Sequence, residues 1–286
     1  MVATNNPVLN HKLLAEYEEF GFIHSIPILS AEEVAHYRSE AEKTCLAIGD
    51  RVTRLDALHF FFRWAWDLST HPRLLDCLEQ ILGPNIVLKS TRLFYKYARS
   101  DSYVGWHQDG ITEELTDGRA PAIWLGLTPA TVENGCLRVV PGSHRMGLFQ
   151  HVARSLRDTL NNNDNLAYPR LRSRAREAEL SGKITSIPSE AHLPFDLVMQ
   201  PGEMSIHHPV MLHGSNANRS AEPRIGLSAS YSAPELYHGA AAVWARGDGP
   251  RDKYDFECLD QPRTATFEEA VAAYSDSDYQ ILFAHS

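Results

Sequence analysis

The sequence predicts a mainly β protein flanked by helices (α+β), with the strands arranged as a sandwich or a barrel, in one domain of 286 residues. Many short apolar runs through the middle of the chain are separated by Gly and Pro, which is typical of sandwiches and barrels. Helical periodicity is concentrated before these runs. The chain is 43% hydrophobic and 22% charged, so it can form one large core.

The N-terminal part, residues 12–84, is predicted to be largely helical. A first helix over 13–20 ends at Gly21, and a strand over 22–26 follows. A capping box, Ser30 with Glu33, opens a second helix that Gly49 ends. A third begins at His71–Pro72 and ends at Gly83–Pro84.

The aromatic cluster between residues 50 and 70 is expected to be core, with a substrate-facing wall as the alternative. Its members are Phe60, Phe61, Phe62, Trp64 and Trp66.

Residues 86–232 are predicted to form the β core. The expected strands lie at 86–88, 91–97, 103–107, 120–127, 136–140, 184–187, 197–199, 204–207 and 225–231. An arginine-rich insertion, residues 145–195, interrupts them; it is either a lid over the site or a solvated excursion. Residues 233–286 are expected to be an irregular extension that becomes helical over 266–274.

Charge and composition exclude several classes of function. The net charge is −9 and the pI is about 5.8, which argues against binding to nucleic acid or an anionic membrane. No apolar run is long enough to span a bilayer and no secretory signal is visible, so we expect a cytoplasmic protein. The four cysteines form no CxxC pair, which predicts reduced thiols and no zinc knuckle. No pattern indicates an oligomeric state.

A candidate metal site begins with His107 and Asp109. Residues two apart on a strand point to the same face, so one imidazole and one carboxylate can meet at one ion. His213 supplies a second imidazole from elsewhere in the fold. Two His and one carboxylate with open positions are the ligand set of non-haem Fe(II) oxygenases. The HxD pair alone is a weak signal, because the chain has 14 His.

Arg224 is a candidate for binding a co-substrate. Iron of this type needs a source of two electrons, and a 2-oxo acid can chelate the metal while its far carboxylate needs a fixed cation. Arg grips a carboxylate through two hydrogen bonds. Ser215 could add another. A surface ion pair is the alternative interpretation of Arg224 alone.

The segment Asn134–His144 resembles the phytanoyl-CoA dioxygenase family of Fe(II)/2-oxoglutarate oxygenases. The HxD pair, this segment, the His208–Ser215 segment and Arg224 occur here in the family's order. The resemblance implies a double-stranded β-helix (a jelly-roll, cupin-like barrel) of eight principal strands. It implies Fe(II), 2-oxoglutarate and O2 as cofactor and co-substrates, with iron held by His107, Asp109 and His213.

The resemblance also implies further roles. Trp124 stands where the family has an aromatic residue near the co-substrate, and Ser90 and Lys96 stand where family members contact it. His208 is expected beside the metal without binding it. Relatives that halogenate replace the carboxylate by Ala or Gly, so Asp109 favours hydroxylation with release of succinate and CO2.

The expected substrate is a small organic metabolite, such as a natural product, a lipid-like molecule or a carboxylate or phosphonate. The candidates for substrate contact are Arg99, Trp106, Arg119, Tyr97 and His207. Three alternatives remain at this point: desaturation or cyclisation with the same cofactors, a cupin-fold metal protein that does not use 2-oxoglutarate, and a non-catalytic member of the fold.

Overall fold

A computed structural model describes residues 9–49, 51–111, 117–148, 152–153, 178–179 and 193–277. The strand expected at 184–187 and most of the 145–195 insertion lie outside these residues. The lid hypothesis therefore stays a prediction.

The predicted helices form where their capping signals stand. The helices of the described residues are α1 (His11–Phe20), α2 (Ala31–Ile48), α3 (Arg63–Ser69), α4 (Pro72–Leu82) and α5 (Phe267–Asp276). Gly21 ends α1 with φ of 80°, a conformation that favours glycine. In the capping box of α2, the Ser30 hydroxyl accepts from Glu33 N–H and the Glu33 carboxylate accepts from Ser30 N–H.

Fourteen strands occur among the described residues. They are β1 (Phe22–Pro27), β2 (Arg54–Asp56), β3 (Ile86–Lys96), β4 (Val104–His107), β5 (Ala122–Gly126), β6 (Leu137–Val139), β7 (Val152–Ala153), β8 (Ala178–Glu179), β9 (Phe195–Asp196), β10 (Glu203–His207), β11 (His213–Ser215), β12 (Arg224–Ser232), β13 (Ala241–Arg246) and β14 (Glu257–Leu259).

Most of these strands form two sheets, which confirms a mainly β fold with flanking helices. The large sheet has the order β1-β10-β5-β12-β3-β13-β14, and β2 adds to β3. The small sheet has the order β4-β11-β6-β9, and β7 pairs with β8 separately. Strand pairing is antiparallel except between β13 and β14.

The two faces of the large sheet have different partners. On the outer face, Leu93, Ile123 and Leu227 join one apolar core with the helices. On the inner face, Trp124 packs with Val139 of the small sheet. Because side chains alternate along a strand, the neighbours of the outer residues point between the two sheets.

The structure corrects three details of the predicted core. Residues 86–88 and 91–97 belong to one strand, β3. No strand covers 197–199, where Met199 makes only an isolated bridge to Ala130. The extension expected to be irregular contains β13 and β14, which widen the large sheet. Short apolar segments such as β13 carry too little periodicity to be recognised alone.

The aromatic cluster is core, as expected. Phe61 lies 5.6 Å from the ring of Tyr274, and Phe62 lies 5.7 Å from the ring of Phe267, both in α5. The C-terminal helix therefore covers this cluster. Among the described residues no helix is long and apolar enough to cross a bilayer, and the four cysteines are unpaired.

Replacing Ser30 by Ala removes the side-chain acceptor of the α2 capping box. We expect a loss of about 1 kcal/mol in the free energy of unfolding, measured by urea denaturation. Ser39→Ala on the exposed face of the same helix is the control, and it should be neutral or slightly stabilising because Ala is the better helix former. Equal effects of the two changes would contradict the capping role.

Candidate metal centre and co-substrate pocket

His107 and His213 face each other across two neighbouring strands. They occupy paired positions on β4 and β11, and their ring centroids are 4.1 Å apart. Asp109 completes the group: its Oδ1 lies 3.6 Å from Nε2 of His107 and its Oδ2 lies 3.8 Å from Nε2 of His213. One ligand atom from each residue lies within 4.8 Å of the others, which could hold a metal ion. Within the described part of the chain, this is the one group of at least three such side chains that could do so.

Asp109 reaches this position from a turn, because β4 ends at His107 and Asp109 begins a 3-10 turn. The sequence predicts both residues on one strand, so this detail is corrected. The Gln108 amide between them donates to the Val210 carbonyl at 2.7 Å, and Gly110 N–H donates to the Pro209 carbonyl at 2.8 Å. These bonds tie the turn to the segment that precedes His213.

Both imidazoles are oriented by backbone carbonyls. Nδ1 of His107 is 2.8 Å from the Gly105 oxygen, and Nδ1 of His213 is 2.9 Å from the Met211 oxygen. A carbonyl only accepts, so each Nδ1 carries the hydrogen and each Nε2 presents its lone pair to the centre. This is how metal-binding His residues are commonly held.

The electrostatics favour an ionised Asp109 carboxylate and a neutral His213 imidazole before metal binds. Burial alone would raise the pKa of Asp109, but His213, His207, His107 and Arg92 hold it well below its usual range. Burial and the neighbouring His107 lower the pKa of His213 well below its usual value. These are the protonation states that bind a divalent cation.

His207 is the one predicted substrate contact that lies against these three residues. Its Nε2 is 3.7 Å from Oδ2 of Asp109 and its ring is 4.7 Å from that of His213. It is 2% exposed, and neither ring nitrogen has a hydrogen-bond partner among the described residues. His208 turns away, and its ring lies 5.1 Å from His144.

Two buried cations form a second part of the site. Lys96 and Arg224 are paired on β3 and β12 and are 3% and 2% exposed. Lys96 Nζ donates to Ser215 Oγ at 2.7 Å, to the Asn216 carbonyl, and to the Gly135 carbonyl at 3.4 Å. Within the described residues neither cation has a carboxylate at ion-pair distance, so together they form a pocket suited to an anion.

Burial lowers the pKa of both groups. Burial, followed by repulsion from Arg224, lowers the pKa of Lys96 to about 6. Burial lowers the pKa of Arg224 to about 10, so the guanidinium stays charged at neutral pH.

Trp124 orients Arg224. The guanidinium carbon of Arg224 lies 5.0 Å from the centre of the indole, a cation–π distance. The indole crosses Gly226, where an added Cβ would lie 2.2 Å from Cζ2 of Trp124. Glycine at this inner-facing position therefore makes room for the ring.

The other predicted contacts are not brought to this pocket. Ser90 precedes Lys96 by six residues on β3, roughly 20 Å along the strand. Arg99 is exposed, and Arg119 pairs with Asp117 and Glu235 at the surface.

Tyr97 and Trp106 have partners outside the pocket. Tyr97 packs on Tyr95 at 4.5 Å and beneath Arg51, whereas Trp106 packs on Val140 and Leu212. Trp106 adjoins His107 on β4, so the two side chains point to opposite faces.

Sequence reasoning missed Arg92. Its Nη1 lies 3.9 Å from Oδ1 of Asp109 and its Nε lies 3.3 Å from Oδ1 of Asp56. The signal was available, since Arg92 lies four residues before Lys96 on one strand and shares its face.

A family model described as "Phytanoyl-CoA dioxygenase (PhyH)" matches residues 17–226. Among curated proteins, the "Ectoine dioxygenase" of Nocardia farcinica is 29% identical over 149 residues, which cover 46% of this chain and 50% of that protein. The "Probable alpha-ketoglutarate-dependent hypophosphite dioxygenase" of Stutzerimonas stutzeri is 26% identical over 78% of both chains. The "1-deoxypentalenic acid 11-beta-hydroxylase" of Streptomyces exfoliatus is 28% identical over 72% of this chain and 74% of that one.

Solved structures share the fold. The apo form of the non-heme monooxygenase ThoJ superposes with a TM-score of 0.68 at 23% identity, covering 96% of this chain and 95% of that chain. The epimerase SnoN, in complex with Fe3+, alpha ketoglutarate and nogalamycin RO, gives 0.59 at 24% identity over 78% and 83%. The fold is thus the double-stranded β-helix of these oxygenases.

Gly226→Ala should weaken binding of 2-oxoglutarate roughly tenfold, because the new Cβ displaces Trp124 from Arg224. Metal affinity should not change, because the three metal-ligand candidates lie on other segments. Both affinities can be measured by titration calorimetry. Gly49→Ala is the control, since a Cβ there meets only Val52 Cγ2 at 3.7 Å. Unchanged 2-oxoglutarate affinity in Gly226→Ala would contradict the packing role.

Lys96 should make 2-oxoglutarate binding depend on pH. Below a pKa of about 6 the free amine is already protonated; above it, binding a carboxylate must take up a proton. The dissociation constant should therefore rise between pH 6.5 and 8.5, by at most about tenfold per unit. In metal-saturated protein, Lys96→Met should flatten this profile, whereas the exposed control Lys253→Met should keep it. A flat profile in the unaltered protein would refute the assignment.

Proposed function

The chain belongs to the phytanoyl-CoA dioxygenase family, and from this premise we propose that it hydroxylates an unactivated C–H bond of a small organic metabolite. It is an enzyme of the 2-oxoglutarate-dependent non-haem iron type, as its relatives are. The observation that supports the proposal most strongly is the buried pair Lys96 and Arg224, which has no protein carboxylate at ion-pair distance among the described residues. The pair lies on the large sheet, and Lys96 contacts Ser215 of β11, the strand of the small sheet that carries His213.

The donor set fits Fe(II). Two imidazole nitrogens with their lone pairs turned inward and one ionised carboxylate match a 2-His-1-carboxylate site, which leaves positions for other ligands. We propose His107, Asp109 and His213 as the ligands. Bound iron and 2-oxoglutarate supply the activation of O2 and the two electrons that it requires.

The chain's own groups bind and orient the co-substrate. Arg224 and Lys96 hold its far carboxylate, Ser215 holds the Lys96 amine in place, and Trp124 holds the guanidinium. Burial of this end excludes water, so each charged hydrogen bond is stronger than it would be in solution. Ser90 has no part in this pocket; we assign it to the substrate side.

The proposed reaction consumes one substrate C–H bond, one O2 and one 2-oxoglutarate. One oxygen atom enters the substrate as hydroxyl and the other enters succinate, and the lost carboxylate leaves as CO2. The named substrates of relatives are small molecules such as hypophosphite and 1-deoxypentalenic acid, which supports a small metabolite.

A second outcome with the same cofactors, desaturation or cyclisation, has support from the fold. Solved neighbours include a non-heme alpha ketoglutarate dependent carbocyclase and an epimerase. The non-catalytic alternative is disfavoured, because all three metal-ligand candidates and both cations are present.

Purified protein supplied with Fe(II), O2 and 2-oxoglutarate should release succinate and CO2, at a rate that a metabolite extract increases. His213→Ala and Asp109→Ala should each lower this rate at least a hundredfold by removing a ligand. His36→Ala, an exposed histidine on α2, is the matched control and should retain it. Full turnover in either ligand variant would contradict the metal assignment.

A further inference from the structure

The inner face of the large sheet carries a set of polar residues beyond the co-substrate pocket. Ser90 and Arg92 of β3 pair with Ser230 and Ser228 of β12. Their neighbours along the strands, such as Leu93 and Leu227, belong to the outer core, so these four point inward. We call Ser90, Arg92, Ser228 and Ser230 the polar wall.

Exposure rises from the co-substrate pocket toward this wall. Lys96 and Arg224 are 3% and 2% exposed, whereas the Arg92 side chain is 35% exposed. Among the described residues, the interior is therefore closed at the pocket and partly open at Arg92, whereas Ser230 of the wall is 9% exposed. A substrate that enters the open end meets Arg92 beside the metal-ligand candidates.

Among the described residues, Arg92 has two carboxylates at ion-pair distance, and neither belongs to it alone. Arg92 and Arg54 share the carboxylate of Asp56, with Arg54 Nη2 at 2.9 Å and Arg92 Nε at 3.3 Å from Oδ1. The second carboxylate near Arg92 is Asp109 at 3.9 Å, a metal-ligand candidate whose charge would be shared with a bound ion. In the loaded enzyme Arg92 would then keep, among the described residues, only the Asp56 carboxylate that it shares with Arg54.

We propose that Arg92 is a substrate-binding residue that anchors an anionic group, a carboxylate or a phosphorus oxyanion, of the metabolite to be oxidised. The proposal rests on the proposed function and names the substrate class. The guanidinium fork matches either anion through paired hydrogen bonds. The three serines supply hydroxyls to other polar groups of the same molecule.

The position of the anchor also limits substrate size. Nη1 of Arg92 lies 3.9 Å from a metal-ligand candidate. An anion bound there is within one small molecule's length of the metal, so the oxidised carbon lies a few bonds from the anionic group. A short acid fits this geometry better than a long acyl chain attached to a distant carrier.

The test uses anaerobic protein loaded with Fe(II) and 2-oxoglutarate, whose weak visible absorption band responds when a substrate binds near the metal. The probes are L-proline, cyclohexanecarboxylate, decanoate and phenylphosphonate, each beside a neutral partner: the amide of each carboxylic acid and the diester of the phosphonate. We expect at least one acid to shift the band. Its neutral partner should bind with an affinity lower by tenfold or more. The carboxylates and the phosphonate together distinguish the two anion chemistries.

Three variants distinguish two roles of Arg92: binding the substrate anion and positioning Asp109. Arg92→Gln should lower the affinity for the acid, measured from the band shift, at least tenfold and leave the affinity for the neutral partner unchanged. Arg92→Lys should retain part of the affinity for the acid. Arg63→Gln, an exposed helix residue paired with Asp67, is the control. An equal loss of acid and neutral responses in Arg92→Gln would show that Arg92 only supports Asp109.

Other outcomes would overturn the proposal. An anionic anchor at Arg92 would be excluded if only the neutral partners shifted the band, or if none of the acids did. It would also be excluded if the acid response in Arg92→Gln were as large as in the unaltered protein. Failure of the proposed function looks different, because the iron and 2-oxoglutarate band would be missing before any probe is added.

Discussion

Two buried basic side chains lie side by side at the closed end of the barrel interior, and the rest of the site depends on them. Lys96 and Arg224 occupy paired positions on β3 and β12. Keeping each of them charged away from water costs several kcal/mol unless an anion accompanies it, and burial accordingly lowers the pKa of both. The described residues place no carboxylate at ion-pair distance from either group. A dicarboxylate co-substrate would supply the missing charge and thereby fix the distance from this pocket at which a metal must lie.

The fold holds this polar interior because the large sheet has two chemically different faces. Its outer face is covered by helices and by the aromatic cluster, which supply the apolar burial that stabilises the chain. The inner face can then carry a few polar side chains (lysine, arginine, serine and histidine) while the outer face still forms the apolar core. The small sheet supplies His107 and His213 on adjacent strands, so backbone pairing holds these two metal-ligand candidates, whereas Asp109 is held by its turn.

The sequence predicts α2 from its capping box and the candidate site from the spacing of His107, Asp109, His213 and Arg224, but it does not predict α3, which has no capping side chain. It predicts poorly those features that depend on the three-dimensional arrangement of the strands. Asp109 lies in a turn, because strand ends are set by pairing partners, which a pattern of two residues does not show. Alternation places Arg92 on the same face as Ser90 and Lys96, but a sequence pattern does not show that its guanidinium reaches Asp109. The strands β13 and β14 depend on an existing sheet edge, so local propensity does not reveal them.

The affinity of the iron-loaded protein for 2-oxoglutarate, compared with 2-oxopentanoate, tests the central claim most directly. The two molecules chelate a metal identically, and only the first carries a far carboxylate for Lys96 and Arg224. Anaerobic titration should give 2-oxoglutarate an affinity at least a hundredfold higher, equivalent to about 2.7 kcal/mol. Equal affinities would contradict the account, because the two buried cations would then serve some other anion.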